Sequence, residues 1–369
     1  MRVGTHRISL LIDGAQTYAA MIAALAEATW VICLETYIFR EDEIGRGFAE
    51  VLIDRALRGV QVNLLLDAWG TSLSSPFLGR LEECGVRAHF FNPIRFHGPL
   101  GRVLSRLRRR NHSKVLLIDG VIGFVGGQNI GREYAGSEHG GGNWRDTHTR
   151  IEGPAVKELT YFFSRRWARA GGQELRDAPA TAGGRRPDPH VKAITSDLRR
   201  SRRAILRAYV AALRTAQRRL FITNAYFLPP GLVLRALCRA ARRGVDVRII
   251  LAGSTDVLPI LLAARHVYGR LLAAGVRLYE WQGRILHAKT ATVDGFWSTV
   301  GSANLDFQSL RRSREVNIVI SSEDFAAQME RLFLEDVASC EEVTMEAWQR
   351  RSLSERIVSW IAFWFREWL

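Results

Sequence analysis

The stretch HSKVLLIDGVIGFVGGQN, residues 112–129, is the passage from which the organisation of the whole chain can be read. Its fixed points are His112, Lys114, Asp119, Gly126, Gly127 and Asn129. The same spacing returns 175 residues later in HAKTATVDGFWSTVGSAN, with His287, Lys289, Asp294, Gly301, Ser302 and Asn304. Every interval is preserved, so the chain carries a duplicated unit. Lysine usage sharpens the point. Of 52 basic residues only four are lysine, at positions 114, 157, 192 and 289, and two of these stand two places after the repeated histidines. A compact ammonium and a planar guanidinium are not interchangeable at a crowded anionic centre, which is a physical reason to keep lysine there.

Local geometry suits a phosphate site. VLLID and TATVD read as strands, because apolar and β-branched residues run between turn signals. Side chains two apart on a strand leave by one face, so His112 points with Lys114 and His287 with Lys289. Asp119 and Asp294 each precede a glycine, which predicts hairpin turns. The small residues Gly126, Gly127, Gly301 and Ser302 are expected to let backbone approach a ligand. Asn129 and Asn304 can donate amide hydrogens to it.

The two halves parallel one another beyond the motif. WVICLETYIF matches LFITNAYFLP, ALRGVQVNLLLD matches ARRGVDVRIILA, and CGVRAHFF matches AGVRLYEW. Each half runs strand, helix, strand, helix, strand and then the His-Lys hairpin, followed by an acidic strand start at Asp146 or Glu315. That alternation predicts the α/β class with a mixed sheet in each half. The expected division is a first lobe over residues 1–170, a linker over 171–190, a second lobe over 191–345 and a tail over 346–369. Two such lobes facing each other across a pseudo-twofold axis would bring both motifs to one cleft.

Composition bounds the rest. At 369 residues, 47% hydrophobic and 24% charged, the chain is globular and large enough for two full cores. A net charge of +15 predicts attraction to polyanions, either nucleic acid or an anionic membrane. Cys33, Cys84, Cys238 and Cys340 are scattered outside any paired-ligand spacing and read as core residues of a reducing compartment. The first residues lack a secretory signal, and no apolar run approaches the roughly 20 residues of a membrane span.

Three basic or amphipathic segments remain. The helix expected over Asp197 to Arg218 is basic, and a solvated face is its simplest reading. The insertion FHGPLGRVLSRLRRR before His112 sets Leu100, Val103, Leu104 and Leu107 at helical spacing among arginines, which suits a lipid-surface contact or a basic loop guarding the cleft. In the tail, Ile357, Trp360, Ile361, Trp364 and Trp368 form a stripe. Tryptophan favours the headgroup interface, so the stripe predicts a monotopic docking helix, with packing on the protein's own core or a partner as the alternative.

The paired motifs resemble the HxKxxxxD and GG/GSxN motifs of the phospholipase D superfamily at every defining position. LETYIFREDEIGRGFA, TNAYFLP, RDTHTRIEGP and VGSANLDFQSLRRSREVN are similar to cardiolipin synthases of the bacterial B type. The resemblance implies two α/β/α sandwich lobes with the site at their interface. It also implies phosphatidyl transfer through a phosphohistidine, and a peripheral or monotopic enzyme on the cytoplasmic side of a bacterial membrane.

Two histidines, two lysines and two asparagines around an anion suit such chemistry without a metal or cofactor. One imidazole attacks phosphorus and the other supplies the proton. Resemblance assigns His112 as nucleophile and His287 as acid and then base; the symmetry of the motifs leaves the reverse order open. Asp146 and Glu315 are expected to orient the imidazoles. Asn317 matches the family pattern, whereas His148 departs from it and its role is open. Asp119 and Asp294 belong to the motif, but their place at the turn end favours a structural part, salt-bridging neighbouring basic groups. Tyr37 and Tyr226 could line the cleft against water or be strand-end core. The expected partner is an anionic phospholipid membrane and not nucleic acid. The rivals are a nuclease of the same superfamily, for which the positive charge would be the footprint, and a non-catalytic lipid-binding protein.

Overall fold

The computed structural model describes residues 1–93, 109–176, 188–197, 201 and 203–367. The core of the insertion before His112, with Leu100, Val103, Leu104 and Leu107, lies outside the described residues, as do most of the linker and Trp368.

In the first half the strands are β1 (Arg2–Val3), β2 (His6–Ile12), β3 (Val31–Thr36), β4 (Gln61–Asp67), β5 (Arg87–Phe91), β6 (Val115–Ile118), β7 (Ile122–Gly126), β8 (Trp144–Arg145) and β9 (Thr147–Glu152). All except β8 join one mixed sheet in the order β1-β2-β9-β7-β6-β3-β4-β5, with β3, β4 and β5 parallel. The second half supplies β10 (Val191–Thr195), β11 (Arg219–Asn224), β12 (Asp246–Ala252), β13 (Arg277–Trp281), β14 (Ile285–Leu286), β15 (Lys289–Val293), β16 (Trp297–Gly301), β17 (Val316–Ser321) and β18 (Cys340–Val343). Its sheet runs β10-β17-β16-β15-β11-β12-β13-β18, which repeats the first order strand for strand apart from the outermost additions β1 and β18. β2 and β10, which take corresponding places in the two sheets, have no counterpart in the strand–helix alternation expected from the sequence.

Period-two alternation decides which face each side chain joins. Ile32, Leu34, Leu116 and Ile118 pack under the helices Asp13–Ala26, Glu43–Leu57 and Ser75–Glu83. Their neighbours Val31, Cys33, Val115 and Leu117 turn to the opposite face, against helix Ala155–Arg169. That second cluster continues without a break into Val300, Val316, Ile318 and Ile320 of the other half, so the two lobes share one apolar core. In the second lobe the helices Ala204–Thr215, Gly231–Arg242 and Leu258–Leu272 cover one face and Glu323–Val337 the other. The basic helix is shorter than expected, Ala204–Thr215, and buries Ile205, Leu206, Tyr209 and Leu213 while Arg207 and Arg214 face water.

Both Asp-Gly pairs form the predicted hairpin turns. Asp119 and Gly120 have φ of 52° and 65°, and Asp294 and Gly295 have 55° and 69°. Positive φ at both central residues matches the right-handed twist of the flanking strands.

The tail closes on the second lobe. Helix Leu353–Trp364 starts with a capping box between Ser352 and Glu355 and lies against helix Leu258–Leu272. Phe363 packs on the His266 ring at 4.4 Å, and Trp348 on the Tyr268 ring at 5.1 Å. The stripe of Ile357, Trp360, Ile361 and Trp364 faces away, with exposures of 46–64%. The protein's own core therefore does not cover it.

Candidate active site

Each histidine is held by the opposite lobe. The backbone amide of His112 donates to the carbonyl of Arg314 at 2.9 Å, and that of His287 to the carbonyl of Arg145 at 2.8 Å. The parallel pairing of β8 with β14 and the bridge of Asn111 to Arg314 are the backbone stitches that allow this. The residue after each of those arginines is a carboxylate. Glu315 reaches His112 Nδ1 at 3.1 and 3.2 Å through its two oxygens, and Asp146 reaches His287 Nδ1 at 2.7 Å. A carboxylate can only accept, so Nδ1–H is the donor in both rings. Nε2 is left for a substrate.

Both rings line one cavity of about 420 Å³, with Asn129, Asn304, Tyr37, Tyr226, Tyr134, Trp144, Arg110, Asp256 and Asp306 among its walls. The asparagines are oriented by their Oδ1 atoms, which accept from the amides of Ile38 at 3.2 Å and Tyr226 at 3.4 Å. That leaves the Nδ2 groups as the donors on the cavity side, with the Asn129 amide also bonding the Tyr134 side chain. Lys114 and Lys289 lie buried beneath the rings, with their Nζ atoms donating to the carbonyls of His112 and His287.

Burial disfavours the charged form of these cations. Lys114 is pushed down to about 7, first by burial, with Lys289 adding to the fall and Glu315 opposing it. Lys289 is pushed down to about 8, again chiefly by burial. Burial and then Lys114 lower His112, against the pull of Glu315. His287 falls further below the ordinary imidazole value through burial, Lys289, Lys114 and His112. An anion in the cavity would relieve all four groups at once.

The small-residue pairs have a different reason from the one expected. A Cβ on Gly127 would stand 2.1 Å from Asp146 Oδ1, one on Gly126 would stand 2.5 Å from His148, and one on Gly301 would stand 2.4 Å from Asn317. These glycines make room for the orienting carboxylate and its strand, not for a ligand. Ser302 takes the place of the second glycine in the second lobe, and its hydroxyl donates to Glu315 Oε2 at 2.5 Å.

His148 does the work of Asn317. Its Nδ1 accepts from the amide of Gln128 at 3.4 Å, just as Asn317 Oδ1 accepts from the amide of Ala303 at 3.3 Å. Burial lowers His148 to about 3, so it is a neutral spacer.

Asp119 and Asp294 stand outside the cavity. Asp119 accepts from the amides of Thr29, Trp30 and Val31, and Asp294 from those of Gln217, Arg218 and Arg219. Each ties its hairpin turn to the start of β3 or β11. Backbone amides, rather than the expected salt bridges, are the partners that fix both aspartates.

Among the cavity residues, Tyr134 and Trp144 had no sequence signal, whereas Tyr37 and Tyr226, expected as possible cleft lining, do line it. Tyr134 and Trp144 pack on the His287 ring at 6.0 and 5.2 Å, while Tyr37 stands edge-on to His112 at 5.1 Å. Tyr226 lies 6.4 Å from the His287 ring. Arg145 and Arg314 could have been found, because an arginine precedes the orienting carboxylate in both halves. Arg145 pairs with Asp336 at 2.7 Å, and Arg314 bonds Asp197 at 2.8 Å.

Comparison with known proteins agrees with the duplicated architecture. The family model described as cardiolipin synthase, PLD-like domain, matches residues 21–167 and 209–337, more than half of the chain and one segment in each lobe. The chain is 35% identical to a cardiolipin synthase of Geobacillus sp. (strain WCH70), over 97% of this chain and 72% of that protein. It is 34% identical to a cardiolipin synthase of Clostridium perfringens (strain SM101 / Type A), over 95% of this chain and 74% of that one. The crystal structure of phosphatidylserine synthase from Haemophilus influenzae Rd KW20 superposes with a TM-score of 0.70 over 97% of this chain and 92% of that one; at 15% identity this likeness shows the fold. With paired motifs, matched lobes and relatives that align with nearly the whole of this chain in agreement, the chain belongs to the cardiolipin synthase family of phospholipase D-like phosphatidyltransferases.

Proposed function

We propose that the enzyme moves a phosphatidyl group from one phosphatidylglycerol to the free hydroxyl of another, forming cardiolipin and releasing glycerol. Neutral His112 attacks phosphorus through Nε2 as the bond to the headgroup oxygen breaks, and His287, protonated once the substrate phosphate offsets Lys114 and Lys289, gives its Nε2 proton to that oxygen. The acceptor hydroxyl then loses its proton to His287 and attacks phosphorus as the N–P bond breaks. The lysines and asparagines stabilise charge on the non-bridging oxygens. The observation that carries this reading is the shared cavity in which each imidazole is anchored through Nδ1 to the other lobe's carboxylate. His112 is the more open of the two rings, 16% against 5% exposed, which suits the ring that must reach phosphorus first.

The enzyme would work from the surface of an anionic bilayer on its cytoplasmic side. No described helix is long and apolar enough to cross a membrane. The tail's outward face of isoleucine and tryptophan suits the headgroup interface, and the net charge of +15 attracts anionic lipid. The tail lies against helix Leu258–Leu272, whose residue Ile260 lines the cavity. At its far end Glu367 meets Arg312, next to helix Phe307–Arg311, which also contributes to the cavity wall. The four free cysteines fit a reducing compartment.

Expression in a bacterium lacking cardiolipin, with mass spectrometry of its lipids, tests the reading. Cardiolipin should appear with the wild-type chain and not with His112→Ala. Accumulation of phosphatidic acid alone would instead identify a hydrolase.

A further inference from the structure

The cavity wall is electrically divided. On the first-lobe side stands Arg110, with its guanidinium 5.9 Å from the Trp69 ring centroid. On the second-lobe side stand Asp256 and Asp306, with Tyr226 between the cavity and the loop that follows β12. Asp306 is committed to structure: its Oδ1 accepts from the amide of Ser309 at 2.6 Å and caps helix Phe307–Arg311. Asp256 is not. Its Oδ1 accepts from the Tyr226 hydroxyl at 2.5 Å and from Thr255 at 3.3 Å, and its Oδ2 has no hydrogen-bond partner among the described residues.

A carboxylate in the cavity wall is misplaced for a phosphate, which the two imidazoles and the two asparagines are placed to meet. It is well placed for an alcohol, since a carboxylate oxygen is a strong hydrogen-bond acceptor. The alcohol that leaves or attacks must also lie beside the acid–base ring, and Tyr226, Tyr134 and Trp144 surround His287. Their ring faces suit the C–H surface of a small polyol. The ammoniums of Lys114 and Lys289, near enough to act on both imidazoles, oppose a cationic headgroup beside them.

We infer that Asp256, oriented by the Tyr226 hydroxyl, forms the subsite that holds the spare hydroxyls of a glycerol-type headgroup while its reacting oxygen faces His287. The inference rests on the phosphatidyl-transfer reading. In the first step the subsite holds the departing glycerol, and in the second it holds the hydroxyl-bearing headgroup of the acceptor. Both residues act on the choice of alcohol and not on the bond made to phosphorus.

Competition between alcohols tests this. Purified full-length enzyme is given phosphatidylglycerol in mixed micelles with isotope-labelled glycerol and 1-propanol, which has the same carbon chain with one hydroxyl. Labelled phosphatidylglycerol and phosphatidylpropanol are counted from the same tube. Both products partition from one phosphatidyl-enzyme, so their ratio is insensitive to the amount of folded protein. A site built to bond a hydroxyl discriminates strongly against an analogue that lacks it. Asp256→Ala should lower the glycerol-to-propanol ratio roughly tenfold or more, given what hydrogen bonds to charged groups contribute. The isosteric Asp256→Asn should lower it less, and Tyr226→Phe less again. An unchanged ratio in both Asp256 variants overturns the subsite. A third arm with ethanolamine overturns the polyol assignment if Asp256→Ala weakens ethanolamine use and leaves glycerol use intact. Failure of the wild-type enzyme to form either product would refute phosphatidyl transfer itself, a result distinct from an unchanged ratio.

Discussion

Glu315 and Asp146 are the residues on which the chemistry of both rings turns, because each decides which nitrogen of its histidine carries the proton. Replacing either by its amide keeps the shape and removes the charge that holds the tautomer and steadies an imidazolium. Glu315→Gln and Asp146→Asn should each lower turnover by roughly 10²-fold or more. Thermal unfolding of the same samples should show intact cores. The lysines set a second dependence. Burial pushes Lys114 down to about 7 and Lys289 down to about 8, and a phosphodiester bound beside them would raise both. Binding therefore takes up protons: its lysine contribution is complete below about pH 7 and is lost as pH rises through the higher, bound-state values. KM measured from pH 6 to 10 should rise with pH; a flat profile would contradict the assignment of both lysines to the phosphate. Motif spacing alone was enough to bring His112, His287, Asn129 and Asn304 together. The turn-end position of Asp119 and Asp294 pointed to a structural part, but their partners were not legible, because the backbone amides they bind lie some 90 and 76 positions away.

The tail helix shows what an element's pattern does and does not reveal. The stripe from Ile357 to Trp364 was legible as an apolar face, but its partner was not, since core and membrane ask for the same residues. The fold resolves part of this by turning Phe363 inward onto His266 and leaving Trp360 and Trp364 outside. Changing Ile357, Trp360, Ile361 and Trp364 together to serine should abolish most sedimentation with phosphatidylglycerol vesicles. Activity on a short-chain, monomerically dissolved phosphatidylglycerol should stay within a few-fold of wild type. Undiminished vesicle binding would contradict docking through this helix. The opening strands β2 and β10 were missed for the converse reason. HRISLLI and VKAIT stand before the repeated strand–helix pattern begins, and each joins its sheet by antiparallel pairing with β9 or β17 from far along the chain.

At the scale of the whole molecule, the lobes are joined by polar locks as well as by the shared apolar core. Arg166 is completely buried; it bonds both oxygens of Glu35 at 2.5 and 2.6 Å and stands 3.7 Å from Asp197, which holds Arg314 in turn. Asn111, the residue before His112, also bonds Glu35, at 2.5 Å. One connected network thus runs from the helix Ala155–Arg169 to the backbone on either side of the His112–Glu315 pair. Removing one partner strands a buried charge, so Arg166→Met should cost about 3–5 kcal/mol in chemical denaturation. A loss below about 1 kcal/mol would show that the network is not held as described. Nothing in the sequence singles out Arg166 among so many arginines, because its partners lie 131 and 31 positions away. The duplication, by contrast, could be read from the start, since both lobes obey one pattern of strands and turns.

The account stands on a phosphorus–nitrogen bond formed at one of two facing imidazoles. Its most direct test is rapid acid- and heat-free quenching of enzyme turning over headgroup-labelled and phosphorus-labelled phosphatidylglycerol, followed by peptide mapping under alkaline conditions that preserve phosphohistidine. The account predicts phosphorus label, without headgroup label, on the peptide containing His112, and its loss in His112→Ala together with all product. Full cardiolipin formation by His112→Ala, or turnover with no label on either histidine peptide, would contradict it.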